Sequence, residues 1–332
     1  MNISWKCFLP NLLSFLRGEL KKLETGGEAT SAINFAEEVK TKCTLMASQL
    51  SDKVTMLLYI VSQPETPTTE VIGPILDQIE VFATELIYSF YSLPKTQGLT
   101  IRKQYHRDVI RVVQDLVGVL ETLDKIEFIE QSSMRSAEYL CKSCGEFQLY
   151  PENNLEAVCR LVEAEESLVF DALHELTDAF ESNSLDSSYE EGEMWNSEEM
   201  EILPPGIGLV KTARCLLKKI KLTLKNNGKC STEQEITQLD NIASTITKFS
   251  PVIDDFASSL YPPIDKPACI QTSNDVLNQS ISTLELIKNG HFMKEEDLQW
   301  HSFLRKAVEH NHKKLLASAT IPTSQMKDMK LS

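Results

Sequence analysis

Between Ala36 and Leu57 the apolar side chains Ala36, Val39, Cys43, Met46, Leu50, Val54 and Leu57 recur at steps of three or four. At the angular step of a helix this spacing sets all seven on one stripe, a pattern that no strand can use. Stripes of the same kind follow at Ile72, Ile75, Ile79, Phe82, Leu86 and Phe90, and at Val109, Val112, Val113, Leu116, Val117, Leu120 and Leu123. A further stripe runs through Val158, Val162, Val169, Leu173, Leu176 and Phe180, and the cleanest through Leu239, Ile242, Ile246, Phe249, Ile253, Phe256 and Leu260. A helix with one apolar stripe must bury it, and short connections between such helices favour antiparallel neighbours in a bundle. No segment alternates with period 2 between hairpin turns, and 12 Gly and 13 Pro in 332 residues are too few for a turn-dense β chain. The fold class is therefore all-α.

Punctuation along the chain sets the expected helix ends. Thr66 before Pro67 reads as an N-cap, Leu93-Pro94 as a stop, and Asn226-Asn227-Gly228 as a C-terminal signal. Ser231 with Gln234 reads as a capping box, Pro262-Pro263 as a terminator, and Pro251 as a kink in a helix whose register continues through it. A short helix is expected around Arg135 to Cys144, and two more at about 274–288 and 295–319. From Glu181 to Glu201 acidic residues and serines dominate without any Lys or Arg, a composition expected to form a flexible acidic linker. The expected organisation is a helix bundle over 1–180, a linker over 181–203 and a second bundle over 204–332.

With 33 Lys+Arg against 48 Asp+Glu the formal charge is -15, which repels phosphate backbones and anionic headgroups, so no nucleic-acid or membrane partner is expected. Eight scattered cysteines lack the density of a secreted disulfide scaffold, and the run Phe8 to Leu16 continues as a helical pattern rather than a cleavable leader. A soluble intracellular protein is the expectation.

Chemistry-bearing motifs are few. Cys141-Lys142-Ser143-Cys144 is a C-x-x-C without a second ligand pair for zinc and without a preceding strand, and reads as two reduced thiols on one helical turn. His301, His310 and His312 lack the i, i+4 spacing of helical metal ligands and read as solvent-facing. Phosphate-binding, dinucleotide and nucleophile-elbow motifs are absent, so no enzyme activity and no cofactor are expected. The helix expected over 207–224 carries a basic face of Lys211, Arg214, Lys218, Lys219, Lys221 and Lys225. That face reads as a solvated surface or as one wall of an interface. Ser187 and Ser188, each followed by a glutamate three residues on, are candidate phosphorylation sites for an acid-directed kinase.

Three windows resemble a known family. Leu93-Pro94-Lys95 with Gln97-Gly98, Thr100, Arg102 and Lys103 form the first, and Lys218-Lys219-Ile220 with Asn227-Gly228 the second. Gln238-Leu239-Asp240, Ser250-Pro251, Asp254-Asp255 and Tyr261-Pro262-Pro263 form the third. Together they look like the cyclin-D1-binding protein 1 family, also called cyclin-D-interacting protein. The resemblance implies helix bundles similar to those of vinculin and α-catenin, no enzymatic activity, and binding of D-type cyclins and helix-loop-helix transcription factors without DNA contact. It also implies restraint of the cell cycle, in cytoplasm and nucleus. Lys211, Arg214, Lys218, Lys219, Asp254 and Asp255 are the candidate docking residues under this reading. Leu93, Pro94, Lys95, Gln97, Gly98, Tyr261, Pro262 and Pro263 are expected to shape turns. The alternative class is a vinculin-like cytoskeletal or junctional adapter.

Overall fold

The stripes close on one another in the computed structural model, which describes residues 5–25, 36–65, 67–125, 131–183 and 194–320. Among the described residues every regular element is helical, and none of the helices is long and apolar enough to cross a membrane. The chain divides into two compact units, Met1–Ala157 and Val158–Ser332. The division lies inside a helix, short of the boundary expected at 180. Beyond it Glu163, Glu165 and Glu166 bond to the later helices.

The first unit contains α1 (Leu9–Glu24), α2 (Ala36–Val61), α3 (Thr69–Tyr91), α4 (Leu99–Lys125) and α5 (Gln131–Gly145), with short 3-10 turns at Trp5–Phe8, Lys95–Gln97 and Glu146–Leu149. Side-chain contacts fix the directions. Arg17 pairs with Glu121 while Leu23 O faces His106, so α1 and α4 run antiparallel. Arg111 pairs with Glu146 and Ser143 donates to Asp115, so α4 and α5 do as well. Thr44 Oγ1 donates to Phe147 O and Thr55 meets Cys141, which sets α2 against α5. Buried at the centre are the expected stripes, including Cys43, Leu50, Val54, Leu57, Ile72, Ile79, Leu86, Val109, Val112, Leu116 and Leu120. The thiols of the C-x-x-C lie on α5, where burial pushes Cys144 up to about 12 and keeps it inert.

The turn between α3 and α4 is held from outside. Gly98 adopts φ 121, a region that side chains avoid, and an added Cβ would meet the Asn154 side chain at 2.1 Å. Asn154 Oδ1 accepts from Ile101 N–H at 3.0 Å, capping the start of α4 in place of the side chain that Gly98 lacks. Arg102, itself buried, donates to the carbonyls of Leu93 and Phe90 and lies 4.5 Å from the Phe90 ring, which closes the end of α3.

The second unit is built from α6 (Asn154–Asn183) beyond its first turn, α7 (Glu199–Asn227), α8 (Glu233–Ile246), α9 (Phe249–Ser259), α10 (Lys266–Lys288) and α11 (Asp297–Thr320). α7 and α11 are antiparallel, with Asn311 Nδ2 donating to Thr212 Oγ1 at 3.1 Å and Thr223 facing Asp297. α10 and α11 are antiparallel too, with Arg305 against Glu285 and His312 against Asn274.

Several expected helix ends move. Thr66 lies outside the described residues, and α3 instead begins after Thr68. The capping box is one residue later than expected, formed by Thr232 and Glu235, with Glu235 N–H donating to Thr232 Oγ1 at 3.2 Å. Pro204 and Pro205 do not precede the helix but stand inside α7, which starts at Glu199. Pro251 does more than kink. α8 ends at Ile246 and α9 restarts at Phe249, so the proline occupies the first turn of a new helix, where its missing N–H leaves no bond unmade. The apolar register survives the break, since Ile246, Phe249 and Ile253 are all buried. Residues 199–203 of the expected acidic linker are helical and Trp195 is buried, while Ser187 and Ser188 lie outside the described residues.

His301 and His312 are buried rather than solvent-facing, and only His310 of the three is exposed. The reason is partnering: His301 Nε2 meets Leu284 O at 2.8 Å and His312 Nε2 meets Asn274 Oδ1 at 2.9 Å, so each ring enters the α10–α11 seam with a hydrogen bond.

Two tests follow from this architecture. Gly98→Ala should lower stability by about 3 kcal/mol through backbone strain and displacement of Asn154, and Asn154→Ala by about 1 kcal/mol through the lost cap. Gly18→Ala, with nothing within 4 Å, should be neutral or stabilising in the same urea titrations. Burial holds the His312 pKa below the usual imidazole value. The unfolded ring therefore takes up its proton first as pH falls through about 6.5, and the folded state loses stability from there down to the lowered pKa. The stability of the natural chain relative to His312→Gln should accordingly fall between pH 7.5 and 5.5, a difference in which shared carboxylate titrations cancel.

Candidate partner-docking surface

From Ile202 to Thr232 there is no Asp or Glu, while Lys211, Arg214, Lys218, Lys219, Lys221, Lys225 and Lys229 all fall there, in a chain whose net charge is -15. α7 sorts these residues by angle. Leu209, Val210, Ala213, Leu216, Leu217, Ile220 and Leu224 are buried, so the cations occupy the flank and the outer side.

The flank is taken up by α6. Arg214 Nε donates to Glu166 Oε1 at 2.7 Å and its guanidinium lies 3.8 Å from the Phe170 ring centre. Lys221 reaches Glu163 at 3.2 Å and Glu166 at 3.8 Å, and Lys218 stands 3.9 Å from the same Glu166 oxygen that Arg214 binds. Glu166 is nearly buried, and three cations around it offset the cost of taking its charge out of water. Lys221 beside Glu163 holds that carboxyl below the usual range.

The outer side differs. Lys211 and Lys219 are exposed and have no ion-pair partner among the described residues, and Lys218 is half-exposed. Of the four basic residues expected to dock a partner, α7 thus presents Lys211, Lys218 and Lys219 outward, while Arg214 ties α6 to α7.

Asp254 and Asp255 occupy the exposed side of α9 and make no hydrogen bond or ion pair among the described residues. They do not serve the break at Pro251. Glu165 does, accepting from Ser250 N–H at 3.2 Å. Successive residues of α6 therefore reach different neighbours, Glu166 to α7 and Glu165 to α9.

Tyr261-Pro262-Pro263 joins α9 to α10, and it is strapped by residues that the sequence reading placed in the linker. Trp195 Nε1–H donates to Leu260 O at 2.7 Å and its ring stacks on Tyr261 at 6.0 Å. Glu199 Oε1 accepts from Ile264 N–H at 2.7 Å, and Lys266 pairs with Glu198 at 2.8 Å. Burial, with Glu175 nearby, raises the Tyr261 pKa. Leu93 to Gly98 likewise occupy the connection between α3 and α4, with a 3-10 turn at Lys95–Gln97. Glu163, Glu166 and Trp195 were missed in the sequence. The three-residue step of Glu163 and Glu166, opposite an acid-free basic helix, was the available signal for the first two.

No cluster of three or more His, Cys, Asp or Glu placed to hold a metal occurs among the described residues.

Comparison with known proteins places the chain. The pattern described as "Grap2 and cyclin-D-interacting, N-terminal" matches residues 43–182, and its C-terminal counterpart matches residues 177–286. A zebrafish (Danio rerio) relative, "Cyclin-D1-binding protein 1 homolog", is 28% identical over 281 residues, covering 80% of this chain and 82% of its own. "Cyclin-D1-binding protein 1" of mouse (Mus musculus) is 27% identical over 327 residues, with 91% of each chain covered. The protein of that name from Homo sapiens is 24% identical over 328 residues, covering 91% and 90%.

Glu166→Gln should lower stability by about 2–3 kcal/mol, because Arg214 would keep its charge in a half-buried place beside a neutral partner. Lys219→Gln, which faces solvent, should change it by less than about 0.5 kcal/mol in the same denaturation series.

Proposed function

Since the chain belongs to the cyclin-D1-binding protein 1 family, we propose that it is a non-enzymatic regulatory protein that docks on a D-type cyclin and lowers the activity of the associated kinase. The observation that carries the reading, beside the names of the relatives, is the outward lysine face of α7, a concentrated positive surface on an acidic protein. Such a surface steers a partner of opposite sign and fixes its register, and requires no turnover. Asp254 and Asp255, exposed and without a hydrogen-bond or ion-pair partner among the described residues, supply a second contact area of opposite charge. Helix-loop-helix factors are a further partner class under this proposal, held by helix pairing and kept from DNA, and the protein would act in cytoplasm and nucleus. Phosphorylation at Ser187 or Ser188 would add negative charge ahead of α7.

Titration of the purified chain against a D-type cyclin, alone and with its kinase, tests the proposal. A Kd of about 1 µM or tighter that weakens with added salt, with falling kinase turnover, is the expected result. Lys218→Glu with Lys219→Glu should weaken it by about tenfold or more. A folded helical chain with no cyclin affinity overturns the reading and moves the adapter alternative to first place.

A further inference from the structure

The outer face of α7 is not uniformly basic. Lys211, Cys215, Lys218, Leu222 and Lys225 follow one another at steps of four, three, four and three, and all five are exposed, Leu222 by 52%. Those steps keep the five on one face of the helix, at the spacing by which paired helices meet along a seam. α7 runs unbroken from Glu199 to Asn227, and the rise from Lys211 to Lys225 is about 21 Å, roughly four turns.

We infer that this seam docks an acidic amphipathic helix of the partner, with an apolar residue set against Leu222 and carboxylates set against Lys211, Lys218 and Lys219. The inference rests on the reading of the α7 face as the docking surface. The occupant follows from the chemistry of the stripe. Its charges are lysines, Lys211 and Lys225 without an ion-pair partner among the described residues and Lys218 half-exposed at 3.9 Å from Glu166, and its centre holds an apolar side chain, so a ligand must bring both carboxylates and hydrocarbon in helical register. A nucleic acid fits poorly. The helix has one arginine, the side chain best shaped to fork onto phosphate, and Arg214 is already committed to Glu166 and Phe170. No aromatic ring stands on the stripe for a base to stack on, and the remaining charge of the chain repels a polyanion. The ion pairs with Glu163 and Glu166 hold α7 in the rotation that keeps the seam outward.

The test uses the full chain and a 16-residue stapled helical peptide with Leu at i, i+4, i+7 and i+11 and Glu on the flanking positions, followed by fluorescence anisotropy. A stapled peptide of the same composition in scrambled order carries the same charge without the leucine seam. The expected result is salt-sensitive binding of the ordered peptide, at least about tenfold tighter than the scrambled one. Lys211→Glu with Lys218→Glu and Lys219→Glu should weaken it by about tenfold or more, and Leu222→Ala by about threefold or more, with circular dichroism unchanged. Lys229→Glu, beyond the seam, should leave it unaltered. Equal affinity for both peptides, indifference to the seam variants, or tighter binding of a 16-base-pair DNA duplex or of phosphatidylserine vesicles would overturn the inference. Run beside the cyclin titration, the outcomes separate. A cyclin that binds while the ordered peptide does not removes the seam alone, and a peptide that binds while the cyclin does not removes the cyclin alone.

Discussion

The buried carboxylate of Glu166 governs the second unit. One oxygen receives Arg214 at 2.7 Å, and Lys218 and Lys221 stand within 4 Å of the group. An ion pair in such a place contributes less to net stability than its Coulomb energy suggests, because Arg214, Lys221 and the carboxylate have lost much of their water. What it fixes is rotation. With Arg214 and Lys221 turned to α6, and Leu209, Ala213, Leu216 and Ile220 turned inward, the remaining side of α7 has only one direction to face.

A second rule runs through both units. Beside the local caps of α8 and α10, several helix ends are satisfied by side chains from distant positions. Asn154 caps α4 from the start of α6, Arg102 closes α3, Glu165 takes an N–H at the start of α9, and Glu199 with Trp195 secures the segment after α9. Each bond meets a backbone group that a break in the helix leaves without an intrahelical partner, so each break is specified by a residue far away. The windows that carry the family resemblance, around 93–103 and 250–263, are where these contacts land. That placement has a physical sense. A core stripe accepts many apolar side chains of similar volume, whereas Gly98 at φ 121 beside Asn154 accepts one.

Those two rules explain what could be read from the sequence. The stripes at 36–57, 72–90, 109–123 and 239–260 gave the helices and their buried faces, because periodicity is a property of one segment. The capping box was placed one residue early since Ser231 and Thr232 each stand three residues before a Gln or Glu, and only the backbone angle of Thr232 decides between them. Pro251 read as a kink because the register of Leu239 to Leu260 is continuous. Register, however, reports which face is buried and not whether the backbone bonds continue. His301 and His312 read as surface because a lone histidine carries no periodic signal, and their acceptors, Leu284 O and Asn274, sit on another helix. The basic face of α7 was legible as composition. Its division into a bound flank and an open seam was not, because that required knowing that α6 places Glu163 and Glu166 against it.

The division matters for selectivity. A chain with a net charge of -15 repels other acidic surfaces at long range, so an acidic partner gains from the lysines only once it is within roughly a Debye length, about 8–10 Å, of the α7 face. Approach anywhere else is disfavoured by the same field. Attraction confined to one helix of a repulsive body selects orientation before contact, and Leu222, exposed in the middle of the cations, then rewards only a partner whose apolar residue arrives at that height along the helix axis. Charge would thus select the face and the single leucine the register, a sequence of two weak discriminations that neither the lysines nor the leucine could provide alone.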